Sequence, residues 1–252
     1  MKQSKKAVYA KHGIIYDPKT GKIWFPLLQI WICELLKQGN SKTGKRVYTW
    51  SLPAGKDGTC ICNCSGCYAM TGFYQMDSVK NALALNQYII ENDVGFFYKA
   101  VSAQLEIIGS GEIRIHASGD FNTRNSLAYA TTWKVLVSEN PDCLFWTYTK
   151  MREYETLFDD LENGNIVKSV INGIGINYGH CGYIMMAYRK LKSLGANVYI
   201  CRCGIDKNQH CERCGHCGKA DFVLFIEHST DYKAEDDPDF PELVRLIESQ
   251  GE

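Results

Sequence analysis

The sequence predicts an α/β fold built on a parallel sheet, and two observations carry that expectation. Six strand-like segments, rich in β-branched and aromatic residues, alternate with helices or loops from "KRVYTWSL" at 45–52 to "DFVLFIEHS" at 221–229. Strand-then-helix alternation favours parallel pairing through right-handed crossovers, which leaves a doubly wound sheet or a full or partial barrel. The second observation is chemical. In parallel α/β folds the chemistry gathers where strands end, and polar or metal-ligating residue types stand at the end of each predicted strand. A chain of 252 residues, 45% of them hydrophobic, buries a core large enough for one domain.

The elements follow in order. Residues 1–44 form an N-terminal extension; 45–230 hold the alternating core; 231–252 are a connector and a last helix. Turn chemistry in "SKTG" and "PAGKDG" brackets the first strand, which feeds the cysteine loop "GTCICNCSGCYAM" at 58–70 directly. The run from Met76 to Gly109 has helical spacing, with Asp77 or Ser78 as a cap and a break near Asp93 to Gly95. Strand "EIRIHASGDF" ends in Ser118, Gly119 and Asp120, and the helix "TRNSLAYATTWKVLVSE" follows. Strand "CLFWTYTK" ends in Tyr148 and Lys150 before a helix over 151–163. Strand "IVKSVINGIG" leads to Asn172 and Asn177 and the helix "GYIMMAYRKLKSLG". Strand "NVYICRC" opens a second cysteine loop, and "DFVLFIEHS" brings Glu227, His228 and Ser229.

Composition narrows the function classes. Lys plus Arg and Asp plus Glu balance at 28 each, so no global field draws the chain to nucleic acid or an anionic membrane. The apolar run "IWFPLLQIWICELL" is interrupted by Pro26 and Glu34 and is too short to span a bilayer, and the basic N-terminus lacks a signal peptide's apolar stretch. A cytosolic, soluble protein is the expectation. In that reducing compartment 12 cysteines read as metal ligands rather than disulfides, and nine of them fall in two clusters.

In the first cluster Cys60, Cys64 and Cys67 are spaced C-x3-C-x2-C. Three thiolates on one short loop can ligate three irons of a 4Fe-4S cube and leave the fourth iron open. Cys62 lies between them; as a fourth ligand it would close the cluster, although a C-x-C pair does not readily reach neighbouring irons.

These features resemble the radical S-adenosylmethionine superfamily: C-x3-C-x2-C after a first strand, Tyr68 just beyond it, and six βα-type units. More narrowly, "SLPAG", "TC…CYA", "RIHASGDF" and "FWTYTK", in this order over roughly residues 40 to 230, resemble the phage "gene product 88" family of radical-SAM-like proteins. The resemblance implies a partial (β/α)6 TIM-like barrel with cysteine-rich loops at its C-terminal rim. It implies S-adenosylmethionine bound at the open iron and cleaved reductively by an electron from a flavodoxin or ferredoxin, in the host cytoplasm if phage-encoded. Ser118, Gly119 and Asp120 stand where the superfamily carries a Gly-Gly-Glu contact to the cofactor's amino group, and Gly66 replaces the aromatic residue usual before the third cysteine. Tyr68 would pack over the cluster instead.

The second cluster, "CRCGIDKNQHCERCGHCGKAD", supplies Cys201, Cys203, Cys211, Cys214 and Cys217 with His210 and His216 interleaved. Its C-x2-C-x2-C run is ferredoxin-like, and Cys201 or Cys203 would complete an auxiliary 4Fe-4S cluster; a structural zinc site is equally legal. Its place after strand five sets it at the same rim as the first. His116 is either a hydrogen-bonded interior histidine or a cofactor contact, and Lys150 either pairs with a carboxylate or is solvated. Three functions are therefore open: a radical S-adenosylmethionine enzyme, an iron-sulfur electron carrier or sensor without cofactor cleavage, and a zinc-stabilised binding protein.

Overall fold

The computed structural model describes residues 3–39, 43–61, 67–168, 170–171, 174–175, 178–202, 205, 211–226 and 233–251. Helix α1 spans Lys5–Lys11, started by Ser4, whose hydroxyl accepts from the Ala7 N–H at 3.3 Å. Strands β1 (Tyr16–Asp17), β2 (Lys22–Phe25) and β3 (Ile30–Cys33) make an antiparallel sheet in that order. The interrupted apolar run is thus a hairpin, with Pro26 just past β2 and Ile23 and Phe25 buried. Gln104 ties this region to the core: its side-chain oxygen accepts from the N–H groups of Leu35 and Leu36, and its amide donates to the Leu36 carbonyl. The described part of this N-terminal region therefore shares the main hydrophobic core, through Val8, Tyr9, Ile14 and Ile23 among others.

Strand β4 (Lys37–Gln38) pairs antiparallel with β5 (Val47–Thr49). Helices α2 (Asp77–Asn92) and α3 (Val94–Ile108) break at Asp93, where the sequence signalled it, because its carboxylate caps α3 by accepting from Phe96 N–H at 2.9 Å. Then come β6 (Gly111–Arg114), α4 (Ser126–Glu139), β7 (Cys143–Thr149) and β8 (Gly164–Lys168). The helix expected over 151–163 is instead a 3-10 turn at Arg152–Tyr154 followed by turns. Phe158 is buried there under Gly164, where an added Cβ would meet its side chain at 2.9 Å, so the chain folds back tightly. The strand expected over 166–175 is divided into β8, an antiparallel pair β9 (Val170–Ile171) and β10 (Ile174–Gly175), and then β11 (Tyr178–Gly179). Helix α5 (Cys181–Ser193), β12 (Val198–Ile200), α6 (Cys211–Cys214), β13 (Phe222–Ile226) and α7 (Phe240–Glu248) complete the chain.

Strands β5, β6, β7 and β8 pair in parallel in chain order. Strand β13 pairs in parallel with β8, β12 and β11, so the last strand lies between the fourth and the fifth predicted ones. Among the described residues the ladder runs from β4 to β12 without closing.

Register shows which face the helices cover. Ile113, Phe145 and Ile166 share a face and pack with α3 and α4 through Phe97, Val101 and Trp133. The bridge Phe222↔Lys168 puts Phe222 on that same face, and Phe222, Leu224, Val198 and Ile200 pack with α5 and α7. The major helices thus line one side of the sheet. The opposite face carries Glu112, Arg114, Trp146, Tyr148, Asn165, Val167, Tyr199 and Val223, and what covers it is the cysteine-bearing segment 211–220.

Candidate functional site

The first cysteine loop is rooted by a clasp at the ends of β5, β6 and β7. Leu52 N–H donates to the Ser118 carbonyl at 2.9 Å, and the Ser118 hydroxyl donates back to the Leu52 carbonyl at 2.8 Å. Gly119 takes φ +81, and an added Cβ would stand 2.5 Å from Thr59 Oγ1 and 2.6 Å from Leu52 Cβ, so only glycine fits. Fully buried Thr59 receives the Asp120 N–H at 3.0 Å on its hydroxyl oxygen and donates to the Pro53 carbonyl at 3.0 Å. Cys60 follows immediately, half-buried like Cys67.

Asp120, 4% exposed, is the centre of the clasp. One carboxylate oxygen accepts from Thr149 Oγ1 at 2.7 Å and Phe121 N–H at 2.8 Å, the other from Lys150 N–H at 2.9 Å. Burial pushes this carboxyl up to about 6, against the pull of those three hydrogen bonds. Ser118, Gly119, Asp120 and the Lys150 backbone are brought together as expected, but their polar groups bind one another and the loop root.

His116 breaks the expected regular strand: β6 ends at Arg114 and His116 takes φ +58. Its ring is 3% exposed, edge-on to Phe121 at 4.5 Å, with Nε2 2.8 Å from the Tyr129 hydroxyl and Nδ1 3.2 Å from Thr147 Oγ1. Trp50 Nε1 donates to the same Tyr129 oxygen at 2.7 Å. Indole is donor only, so the pattern that uses every proton has Tyr129 donating to Nε2 and Nδ1–H donating to Thr147. Burial pulls this histidine down to about 3, so it is neutral at pH 7.

The second cluster occupies the face opposite the major helices. Cys201, Cys211, Cys214 and Cys217 line one cavity with Glu112, Trp146, Tyr199 and Gly215. Cys211 and Cys214 are one turn apart on α6, Gly215 turns the chain at φ +64, and a 3-10 turn at His216–Gly218 returns Cys217 to the sheet. Tyr148 donates its hydroxyl proton to Cys217 Sγ at 2.9 Å, and Asn165 donates to the Cys217 and Ala220 carbonyls. Burial pushes the Cys217 thiol up to about 12, opposed by the Tyr148 hydrogen bond. His216 stacks on Tyr199 at 3.8 Å. The expectation of a shared rim is corrected here: this cluster rests on the face over Trp146, Tyr148 and Asn165, not beyond the ends of β6 to β8. Among the described residues no three His, Cys, Asp or Glu side chains stand in metal-ion geometry.

Cys62, Cys64, Gly66, Asn172, Asn177, Cys203, His210, Glu227, His228 and Ser229 lie outside the described residues, as does the Tyr68 side chain. Sequence reading missed Thr59, Thr149, Glu112, Trp146 and Tyr199. One signal was available: Thr147 and Thr149 alternate with Cys143 and Phe145 on the helix-covered face, where apolar residues are the rule.

These features define a mixed α/β protein with a parallel sheet, helices on one face and two separately held cysteine regions. The chain matches the family model described as Gene product 88 over residues 34–172, more than half its length, and it belongs to the Gene product 88 family. The matched segment holds the clasp and the first cysteine run and ends before the second cluster. No curated protein and no solved structure matches the chain. No helix among the described residues is long and apolar enough to cross a membrane.

Proposed function

We propose that this chain is an iron-sulfur enzyme of the radical S-adenosylmethionine type. The observation that carries the reading is the rooted loop: Thr59, pinned to Asp120 and Pro53, fixes the residue before Cys60 at the C-terminal end of the first parallel strand. Cys60, Cys64 and Cys67 would hold the cluster, and the half-buried state of Cys60 and Cys67 suits thiolates that face a bound group. When bound and reduced, such a cluster supplies the electron for reductive cleavage of the S-adenosylmethionine sulfonium. The chain's own residues do the rest. The Asp120 clasp holds the loop root against movement, His116 stays neutral and orders Tyr129 and Thr147, and Lys150 brings a cation to the same rim. A low-potential donor such as a flavodoxin or ferredoxin, in a cytoplasm, belongs to this reading.

The finer fold that goes with it is a partial (β/α)6 barrel of TIM type. Helices on one face and an unclosed ladder support it, while the place of β13 between β8 and β12 departs from sequential barrel order. A second reading, an iron-sulfur electron carrier or sensor or a zinc-stabilised binding protein, is favoured by one observation: Ser118 and both Asp120 oxygens are committed to the protein itself. Electron paramagnetic resonance on anaerobically reconstituted, dithionite-reduced protein separates the two. A reduced-cluster signal that changes when S-adenosylmethionine is added is the expected result. A signal indifferent to the cofactor, with no 5′-deoxyadenosine formed, replaces the first reading with the second.

A further inference from the structure

The face of the sheet opposite the major helices holds a feature that the rooted loop does not explain. Four thiols from separate points of the chain, one after β12, two on α6 and one on the following turn, surround a single cavity. Four soft sulfur donors in a half-buried, aromatic-walled space match the donor set of both tetrahedral zinc and a fully ligated 4Fe-4S cube. A second feature points the same way. The hydroxyl of half-buried Tyr148, on that face, aims its proton at Cys217 Sγ from 2.9 Å, and such donation orients a metal-bound thiolate and tempers its charge.

We infer that Cys201, Cys211, Cys214 and Cys217 form a closed four-thiolate centre for a thiophilic metal, zinc or an iron-sulfur cube, that fastens residues 211–220 onto the sheet. Four protein ligands leave no position for substrate, so the centre is structural or electron-transferring. Among the described residues the four side chains do not stand in single-ion geometry; a bound metal would draw them together, and its binding free energy would become folding free energy. The inference goes beyond the function proposed above, needing neither the first cluster nor the cofactor, and the family match ends before all four cysteines.

The test uses the full chain with Cys60, Cys64 and Cys67 all changed to alanine, so that any retained metal belongs to the second centre. Metal analysis is expected to find about one zinc, without visible absorption, or about four irons with broad absorption, per chain. Adding Cys201→Ala or Cys217→Ala should abolish that content. Should those variants not fold, differential alkylation of the wild-type protein gives the same answer: Cys201, Cys211, Cys214 and Cys217 are protected until a chelator is added. A metal-free triple variant overturns the inference, as does metal retained in full with Cys201→Ala or Cys217→Ala, or four thiols that alkylate equally with and without chelator.

Discussion

The loop root at the rim and the cavity on the open face both present cysteines, yet they are held by opposite means. At the rim, Leu52, Thr59, Ser118 and Asp120 are locked by short hydrogen bonds among buried groups, and Gly119 leaves no room for a side chain. On the face, α6 and the turn after it lie on aromatic rings, and Tyr148 and Asn165 make the polar contacts to Cys217. The rim is therefore organised by the polypeptide itself, whereas the face centre inferred above would be completed by its metal. Preorganisation of this kind keeps a reactive group in place without a cost at each turnover.

The comparison breaks most sharply at Gly119. Gly119→Ala forces a side chain into Thr59 and Leu52 at φ +81, and strain plus overpacking should destabilise the fold by about 4 kcal/mol, read in denaturant melts. Metal at the first cysteine run should fall with it, while metal at the second is retained in whatever fraction folds.

The next largest effect is on pH dependence. His116 is held near 3 in the fold and titrates at its ordinary 6.5 when unfolded, so its contribution is complete above 6.5 and is lost as pH falls, by about 1.4 kcal/mol per unit. Asp120 has the opposite sign. Its carboxyl sits near 6 in the fold against 3.8 in the unfolded chain, so it favours folding below 3.8 and loses that contribution as pH rises through 6. Between about pH 4 and 6 the two offset each other. Against wild type, His116→Asn, which tolerates positive φ, should gain about 3 kcal/mol on going from pH 6.5 to 4, and Asp120→Asn should lose a similar amount. Melts of all three proteins across that range check it; parallel pH curves would break the account of the rim.

Two smaller substitutions sharpen the contrast. Thr59→Val keeps the shape but leaves the buried Asp120 N–H without its acceptor, while the Pro53 carbonyl keeps the Thr59 N–H at 2.8 Å; the cost should be about 2 kcal/mol in melts, with weaker first-cluster retention on reconstitution. Tyr148→Phe should cost about 1 kcal/mol in the same melts. Its distinguishing mark lies in the metal: the face centre releases zinc to a chelator faster, or, as an iron-sulfur cube, shifts in absorption or potential, while the response at the rim is unchanged.

Much of the fold was legible in the residues. The strand residues "VYT", "EIR" and "CLFWTYT" lie in β5, β6 and β7 as their β-branched and aromatic content suggested, and the helix break at Asp93 follows from its capping carboxylate. The clasp was half legible. Ser118, Gly119 and Asp120 stood out at a strand end, but nothing local indicated that Thr59, some sixty positions earlier, would be their partner. The face was not legible at all. A pattern of twenty residues gives composition and spacing but not the side of the sheet across which a loop runs, and the exchange of β13 and β12 depends on pairings between distant segments. The missing helix over 151–163 has a packing cause: Phe158 is buried against Gly164, six positions on, and that tight fold-back overrides a helical pattern.

The two regions also differ in what ties them to the chain. The clasp hydrogen bonds all join residues between Leu52 and Lys150, inside the segment that matches the family model, and the face cysteines lie outside it. Losing the covering segment 211–220 would therefore leave those bonds in place while it bared Trp146, now buried beside the cysteines, to water.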